Sequence, residues 1–133
     1  MNRSTIREHI FKLLFLDDFY DEEELNKEFD LYFDTEVSCS ETEKKEMADK
    51  AMAIIKNKQT IDHEIDAVSN NWSIERMDKV DKSILRLAYY EIKMDNDVPD
   101  KVAINEAVEL SKKYSSDASP KFINGVLANF VND

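Results

Sequence analysis

Glycine and proline are almost absent from this chain: one glycine and two prolines occur in 133 residues, and all three lie in the last 35. Pro99 and Pro120 lie where helices are expected to begin, because proline fits the first helical turn. Gly125 instead falls inside an apolar-periodic run, where a glycine costs roughly 1 kcal/mol relative to alanine. Something other than helix stability therefore accounts for this glycine.

Apolar residues recur at helical spacing along nearly the whole chain, and no segment alternates as a strand does. The spacing predicts helices over residues 4–19, 22–33, 40–68, 79–93, 101–114 and 119–131, with a short turn over residues 72–77. Ser40 followed by Glu43 is a capping box, and Asp78, Asp100 and Ser119 are predicted N-caps. The expected fold class is all-α.

The net charge of −11 argues at first against a nucleic-acid partner, but the charge is unevenly distributed. Residues 21–70 carry six basic and fifteen acidic side chains, whereas residues 71–133 carry nine and eleven. Residues 1–20 carry three of each. Both ends are therefore close to neutral, and the composition allows a local basic surface built from them.

The length of the chain corresponds to one typical domain, so we expect residues 1–133 to form a single domain. The sequence has no apolar run of about 18 residues that would predict a membrane span, and no signal peptide is apparent. Cys39 is the only cysteine and cannot form an internal disulfide, which favours a cytoplasmic protein.

The residue patterns of catalysis and metal binding are missing. His9 and His63 have no histidine or cysteine partner at the spacing of a zinc site. A single glycine cannot build a glycine-rich phosphate loop, and no serine lies in a nucleophile elbow. We therefore expect no catalytic residue, no metal and no cofactor, and we predict a binding module rather than an enzyme.

The last predicted helix has an unusual outer face. Its apolar stripe consists of Ile123, Val126, Leu127, Phe130 and Val131. Gly125 falls nearly opposite that stripe, and Lys121, Phe122 and Asn129 lie on the same outer side or its flank. The helix is either sandwiched between layers, with Gly125 admitting a neighbouring helix, or it is an exposed platform. A platform of this kind could stack a base on Phe122 and bind a phosphate at Lys121, with an asparagine hydrogen-bonding a base edge.

The predicted helix over residues 79–93 raises a similar question. Glu91 projects into its core stripe, where a buried carboxylate needs hydrogen-bond partners, and a structural bond is favoured over a catalytic role. Arg86, Tyr89 and Tyr90 are predicted to face outward. Tyrosine and arginine together are typical of a protein interface.

Three blocks of the sequence, in order, resemble the bacterial NusB family of transcription antitermination factors. The matching residues are Trp72 and Arg76 followed by the stretches 81–91, 98–110 and 121–127. The spacing between the blocks is also similar to that of the family, whereas the first 70 residues match only loosely.

The resemblance implies an all-helical fold of about seven helices, arranged as two small three-helix bundles packed together. It also implies an RNA-binding adaptor rather than an enzyme. Members of the family bind single-stranded boxA-type RNA in nascent ribosomal RNA leaders, as a heterodimer with the ribosomal protein NusE. The complex helps RNA polymerase to read through terminators.

The resemblance further assigns roles to individual residues. Lys121, Phe122 and Asn124 match the start of the last helix, which the family uses for RNA. Its basic N-terminal helix corresponds here to the two arginines Arg3 and Arg7.

The remaining assignments concern the partner protein. Asp81 occupies the acidic position that the family uses towards NusE, and Arg86 lies nearby. Because the N-terminus holds only two arginines, and Ala128 stands where the family often has an acid, we expect weak RNA binding by the chain alone. Two alternatives stay open: a protein-only helical adaptor, and a homodimer that hides the RNA face.

Overall fold

The computed structural model describes residues 1–70 and 72–131, which hold seven α-helices, one short 3₁₀ turn and no strand. The α-helices are α1 (Arg3–Asp17), α2 (Glu22–Thr35), α3 (Glu41–Lys56), α4 (Lys58–Val68), α5 (Lys79–Lys93), α6 (Asp100–Tyr114) and α7 (Ser119–Ala128). The 3₁₀ turn covers Ile74–Arg76. The predicted all-α fold class is confirmed.

Two of the predicted N-caps form as expected. The Ser40 backbone N–H donates to Glu43 Oε1 at 3.0 Å, and the Glu43 N–H donates to Ser40 Oγ at 3.1 Å, which completes the capping box. Asp78 Oδ1 accepts from the Asp81 N–H at 2.8 Å and so caps α5. These local bonds satisfy N–H groups that have no partner inside their own helix.

The other two caps are shifted by one residue. Pro99 is the N-cap of α6 and Asp100 is its first residue, while Ala118 is the N-cap of α7 and Ser119 is its first residue. The Ser119 hydroxyl donates to Asp81 across the fold instead of capping its own helix. The last helix also ends at Ala128, earlier than predicted.

The single long helix predicted over residues 40–68 is wrong, because the structure divides it at Asn57 into α3 and α4. Ile54 and Ile61 are both fully buried and lie seven residues apart, so the hydrophobic period continues across the break. Asparagine is a poor helix former, and Asn57 has non-helical dihedrals of φ −97° and ψ 9°. The apolar pattern therefore could not reveal the boundary.

The chain separates into two compact units, Met1–Lys56 and Asn57–Asp133. The first unit is a three-helix arrangement in which α1 packs against both α2 and α3. Its core is built from apolar residues of all three helices: Ile10, Phe11, Leu13, Leu14, Leu25, Phe29, Phe33, Met47, Ala51 and Ile54. The expectation of one domain over residues 1–133 stays a prediction.

The second unit contains α4–α7, one helix more than expected because of the division at Asn57. Helix α5 packs against α4, α6 and α7, and α6 also packs against α7. Nine of the fifteen residues of α5 are buried, so this helix has almost no outer face. Ile123 and Leu127 are fully buried and fix α7 against the rest of this unit.

The central position of α5 overturns part of the prediction for its surface. Arg86 and Tyr89, which were expected to face outward, are 6% and 7% exposed. Tyr89 packs edge-to-face on Phe130 with ring centroids 4.9 Å apart. Glu91 is buried as predicted, at 1% exposure.

Two further features of the described residues bear on function. No helix in residues 1–70 or 72–131 is both long enough and apolar enough to cross a membrane. Within the same ranges, no three histidine, cysteine, aspartate or glutamate side chains gather as they would around a metal ion.

Acidification should weaken the first unit through His9. Its Nδ1 lies 2.6 Å from the Tyr32 hydroxyl, and burial, with a smaller effect of Lys12, lowers the pKa of His9 below 6.5. The unfolded chain therefore takes up the proton first as the pH falls, so the free energy of unfolding decreases below about pH 6.5. His9→Gln should show a smaller decrease, measured by urea unfolding at about pH 7.5 and about pH 5.5.

The matched control for this experiment is His63→Gln, because His63 is the chain's other histidine and is exposed. The carboxylates contribute equally to all three proteins, so only the difference between them is interpreted. Equal pH dependence in wild type and His9→Gln would contradict the assignment to His9.

Candidate nucleic-acid interface

The start of α7 presents the residues that the sequence predicted for RNA. Lys121 and Asn124 are exposed and Phe122 is half-buried, while Ile123 between them points into the core at 0% exposure. The alternation follows from the helical period, since the apolar stripe anchors one side and leaves the other free. The predicted outward face of this helix is confirmed.

Gly125 lies on the same exposed face, and a Cβ atom added to it would meet nothing within 4 Å. The interpretation that Gly125 admits a neighbouring helix is therefore wrong. Its backbone φ is not positive, so its conformation does not require glycine either. A helix-weakening residue thus occupies a position where neither packing nor backbone geometry explains it.

A groove of about 410 Å³ runs along this face of α7, and we call it the lysine groove. Its lining on the α7 side includes Lys121, Phe122, Gly125 and Asn129. Val68, Ser69, Asn70 and Trp72 line it from the end of α4 and the segment that follows. All of these residues belong to the second unit, so the groove is a feature of that unit alone.

The wall opposite α7 is shaped by the end of α4. Asn70 adopts the left-handed conformation with φ 55°, which asparagine tolerates better than most residues and which ends the helix. The Trp72 N–H then donates to Ser69 O at 3.1 Å. Further along, the Ile74 N–H donates to Asp66 Oδ1 at 2.5 Å and ties the segment back to α4.

Trp72 is the functional candidate that sequence reasoning missed. It is 56% exposed, although it is the only tryptophan in the chain. The sequence marked it as part of the family resemblance and as the start of a turn, but gave no sign that it would lie across from α7. That proximity is a tertiary feature, set by the packing of α4 and α7 around α5.

Electrostatically, the lysine groove is unusual for so acidic a chain. Within residues 1–70 and 72–131, no aspartate or glutamate lines it, although the chain carries 29 acidic residues. Among the described residues, Lys121 has no carboxylate partner. Asn129 donates to Gly125 O and Val126 O, both at 3.1 Å, and so holds the C-terminal turn of α7 in place.

A second groove, of about 510 Å³, lies on the other side of Trp72 and Phe122, and we call it the aspartate groove. Trp72 and Phe122 line both grooves and form the wall between them. The remaining lining residues of the aspartate groove include Arg76, Met77, Asp78, Asp81, Ser116 and Ser119. The two grooves thus differ sharply in charge.

Asp81 lines the aspartate groove, and its side chain forms hydrogen bonds with two serines of the same unit. Its two carboxylate oxygens accept hydrogen bonds from Ser115 Oγ at 2.7 Å and Ser119 Oγ at 3.0 Å. Burial raises the pKa of the Asp81 carboxyl above its ordinary value, partly offset by the bond from Ser115. At 7% exposure, Asp81 connects α5 to the start of α7.

Arg86, the second residue predicted for a partner protein, is also engaged internally. Its Nε donates to Asp62 Oδ1 at 2.8 Å and its second terminal nitrogen donates to Asp62 Oδ2 at 2.9 Å. This bidentate pair joins α5 to α4 with the guanidinium 7% exposed. The prediction that Arg86 faces outward is therefore wrong, because its guanidinium is buried and paired with Asp62 inside the unit.

The two N-terminal arginines lie in the first unit and differ in accessibility. The Arg3 side chain is 85% exposed and contacts Glu46 at 3.4 Å, a surface pair of little energetic weight. Arg7 is 7% exposed as a residue of the α1 core face. Direct contact of Arg7 with RNA, as predicted, does not fit this burial, whereas Arg3 remains accessible.

Comparison with known proteins gives a consistent result. The model of the NusB family matches residues 4–132. A transcription antitermination protein NusB from Agathobacter rectalis is 48% identical over 131 residues, covering 98% of this chain and 100% of the relative.

Solved structures resemble the fold along almost its whole length. A NusB structure from T. maritima has a TM-score of 0.83 at 31% identity and covers 98% of this chain and 90% of that chain. A crystal structure of antitermination factors NusB and NusE in complex with dsRNA has a TM-score of 0.78 at 24% identity. That match covers 96% of this chain and 94% of the other chain, and it bears on the fold alone.

The buried Arg86–Asp62 pair should be a major contributor to the stability of the second unit. Asp62→Ala leaves the Arg86 guanidinium without this partner in a buried position, so we expect the free energy of unfolding to fall by about 3 kcal/mol. Urea unfolding followed by Trp72 fluorescence measures this change, because Trp72 lies in the same unit.

Glu109→Ala is the matched control, since Glu109 pairs with Lys112 at an exposed position of the same unit and its loss should change stability little. If the two variants unfold at the same urea concentration, the Arg86–Asp62 pair is no more important than a surface pair.

Proposed function

Because the chain belongs to the NusB family of transcription antitermination proteins, we propose that it binds boxA-type RNA of nascent ribosomal RNA leaders together with the ribosomal protein NusE. Bound in this way, it promotes read-through by RNA polymerase as part of an antitermination complex. The single observation that carries the RNA assignment is the exposed face of α7, where a lysine with no carboxylate partner among the described residues adjoins a half-buried phenylalanine.

The chemistry of this face suits single-stranded RNA. The Phe122 ring offers a stacking surface for an unpaired base, and such stacking is worth about 1–3 kcal/mol per base. Lys121 supplies the cation for a neighbouring phosphate, and Asn124 supplies donors and an acceptor for a base edge. Arg3, in the first unit, is exposed and is proposed as a separate contact to RNA phosphate.

The aspartate groove suits a protein partner better than it suits RNA. Asp78 and Asp81 repel phosphates, whereas the apolar Met77 and the shared aromatic wall offer surface for a protein side chain. Asp81 acts here by holding the start of α7, and Arg86 by holding α5 on α4. We assign NusE to this side of Trp72 and Phe122.

RNA binding by the chain alone should be weak. Of the three cations predicted for RNA, Arg7 is buried and only Arg3 and Lys121 are accessible, and each phosphate neutralised on a single strand contributes only about 0.7 to the salt slope. NusE then supplies the additional positive charge and contact surface. We propose a cytoplasmic adaptor rather than an enzyme. The residues that line the two grooves are suited to binding RNA or protein, and the proposed function assigns none of them a catalytic role or a cofactor.

Replacing Phe122 tests the RNA assignment. Phe122→Ala should weaken binding of a short boxA-type RNA by about tenfold, because one stacking interaction is lost. Phe122→Leu keeps much of the volume but not the aromatic face, so it should also weaken binding. Fluorescence anisotropy with labelled RNA, with and without NusE, gives both affinities.

Leu31→Ala is the control, since Leu31 is 54% exposed on α2 and lies outside both grooves. RNA affinity that stays unchanged in Phe122→Ala, in the presence and absence of NusE, would rule out the stacking role. If no RNA binds better than a scrambled sequence, the protein-only adaptor becomes the better description, and light scattering then distinguishes a monomer from a homodimer.

A further inference from the structure

We infer that the lysine groove is a base-binding groove, in which a nucleobase of the single-stranded RNA inserts between Trp72 and the bare backbone of α7 at Gly125. The inference rests on the proposed RNA-binding function and deepens it. It adds Trp72 as a second aromatic contact, and it gives Gly125 a role that neither packing nor backbone conformation supplies.

The first argument is the space at Gly125. A Cβ atom there would meet nothing within 4 Å, so the missing methyl group widens the groove and accommodates nothing from the protein itself. A flat ring can approach the helix backbone closely only where a side chain is absent. A glycine in this position is therefore best explained by a ligand that lies against it.

The second argument is the aromatic wall. Trp72 is 56% exposed and lines the groove together with Phe122. A single exposed apolar side chain is normal, but apolar surface that lines a groove together with a second aromatic ring is typical of a binding site. Because every base has a flat π face, two aromatic side chains that line one groove are suited to a strand of unpaired bases.

The third argument is charge. Among residues 1–70 and 72–131 of this chain of net charge −11, no carboxylate lines the groove, and Lys121, which does line it, has no ionic partner. Carboxylates do line the aspartate groove on the other side of the aromatic wall. Charge complementarity thus favours an anionic strand on the Lys121 side and not on the Asp81 side.

The C-terminal ends of α4 and α7 favour the base, rather than the phosphate, of a nucleotide inside the lysine groove. Both Ser69, after α4, and Asn129, after α7, lie at C-terminal helix ends, where the helix dipole is negative. A phosphate inside the groove would be repelled, whereas the N–H groups of a base would be attracted. The base therefore lies inside, and its phosphate lies at the rim near Lys121.

Trp72 also makes the inference directly measurable, because it is the only tryptophan in the chain. Titration of the wild-type protein with short boxA-type RNA should quench its fluorescence, with the same midpoint as the anisotropy of the labelled RNA. The titration is repeated with NusE present, and the Trp72→Phe variant then gives the fluorescence background of NusE.

Substitutions at Gly125 and Trp72 test whether the shape of the lysine groove determines RNA affinity. Gly125→Ala and Gly125→Leu should weaken RNA binding progressively, by about fivefold and by more than tenfold. Both should keep or raise Tm, since alanine and leucine are better helix formers than glycine and an added Cβ atom meets nothing within 4 Å at this exposed position. Loss of RNA affinity in a more stable protein cannot be attributed to misfolding.

Two matched controls accompany these variants. Trp72→Phe should retain affinity within about threefold while Trp72→Leu loses about tenfold, because only the former keeps an aromatic face. Ser116→Thr adds one methyl group to the aspartate groove and keeps the hydroxyl that contacts Ser119. Its affinity for RNA alone should match that of wild type.

The outcomes separate the groove from the proposed function. If wild type binds RNA and Phe122→Ala weakens it, but Trp72 is not quenched and Gly125→Leu binds normally, the groove inference is overturned and the RNA function stands. If NusE without RNA quenches Trp72 and Gly125→Leu abolishes that response, the groove holds protein and the inference is wrong. If no RNA binds even with NusE, both fail together.

Discussion

The candidate interface depends on one buried carboxylate, Asp81. Its backbone N–H is capped by Asp78, and its side chain accepts hydrogen bonds from Ser115 and Ser119, so the start of α5 is joined to the start of α7. An ionised carboxylate with little access to water is stabilised only by such donors. The position of α7, and with it the line of residues that faces both grooves, is set by this arrangement.

The same arrangement explains where local sequence rules succeed and where they are overruled. The capping box at Ser40 and the N-cap at Asp78 involve residues three apart and could be predicted from the local sequence. Ser119 has the same local preference but donates to Asp81, thirty-eight positions away. Sequence patterns predict an interaction well when its partner is near in the chain, and poorly when a tertiary partner offers a better bond.

Helix boundaries and faces show the same limit. The seven-residue spacing of Ile54 and Ile61 conceals the division at Asn57. Arg86 was expected to face outward, but α5 is packed against α4, α6 and α7, so this side chain is buried. For α7, periodicity alone placed Lys121 and Gly125 opposite the apolar stripe, but it left open whether that side was exposed or covered by another layer. Trp72 could not be assigned to the site from the sequence, because its position across from α7 is a result of packing in the second unit.

Net charge gave the least reliable indication of function, and the structure shows why. Screening limits the reach of solvated charges to about 10 Å, so a ligand in a groove responds to the residues that line it more than to the total. Among the residues that the structure describes, the lysine groove has no carboxylate in its lining, whereas the aspartate groove, which shares the same two aromatic rings, has two aspartates. Trp72 and Phe122, which line both grooves, can therefore separate an anionic ligand from a protein ligand even in a strongly acidic chain. Gly125, which weakens α7, lines the lysine groove, where the anionic strand would bind.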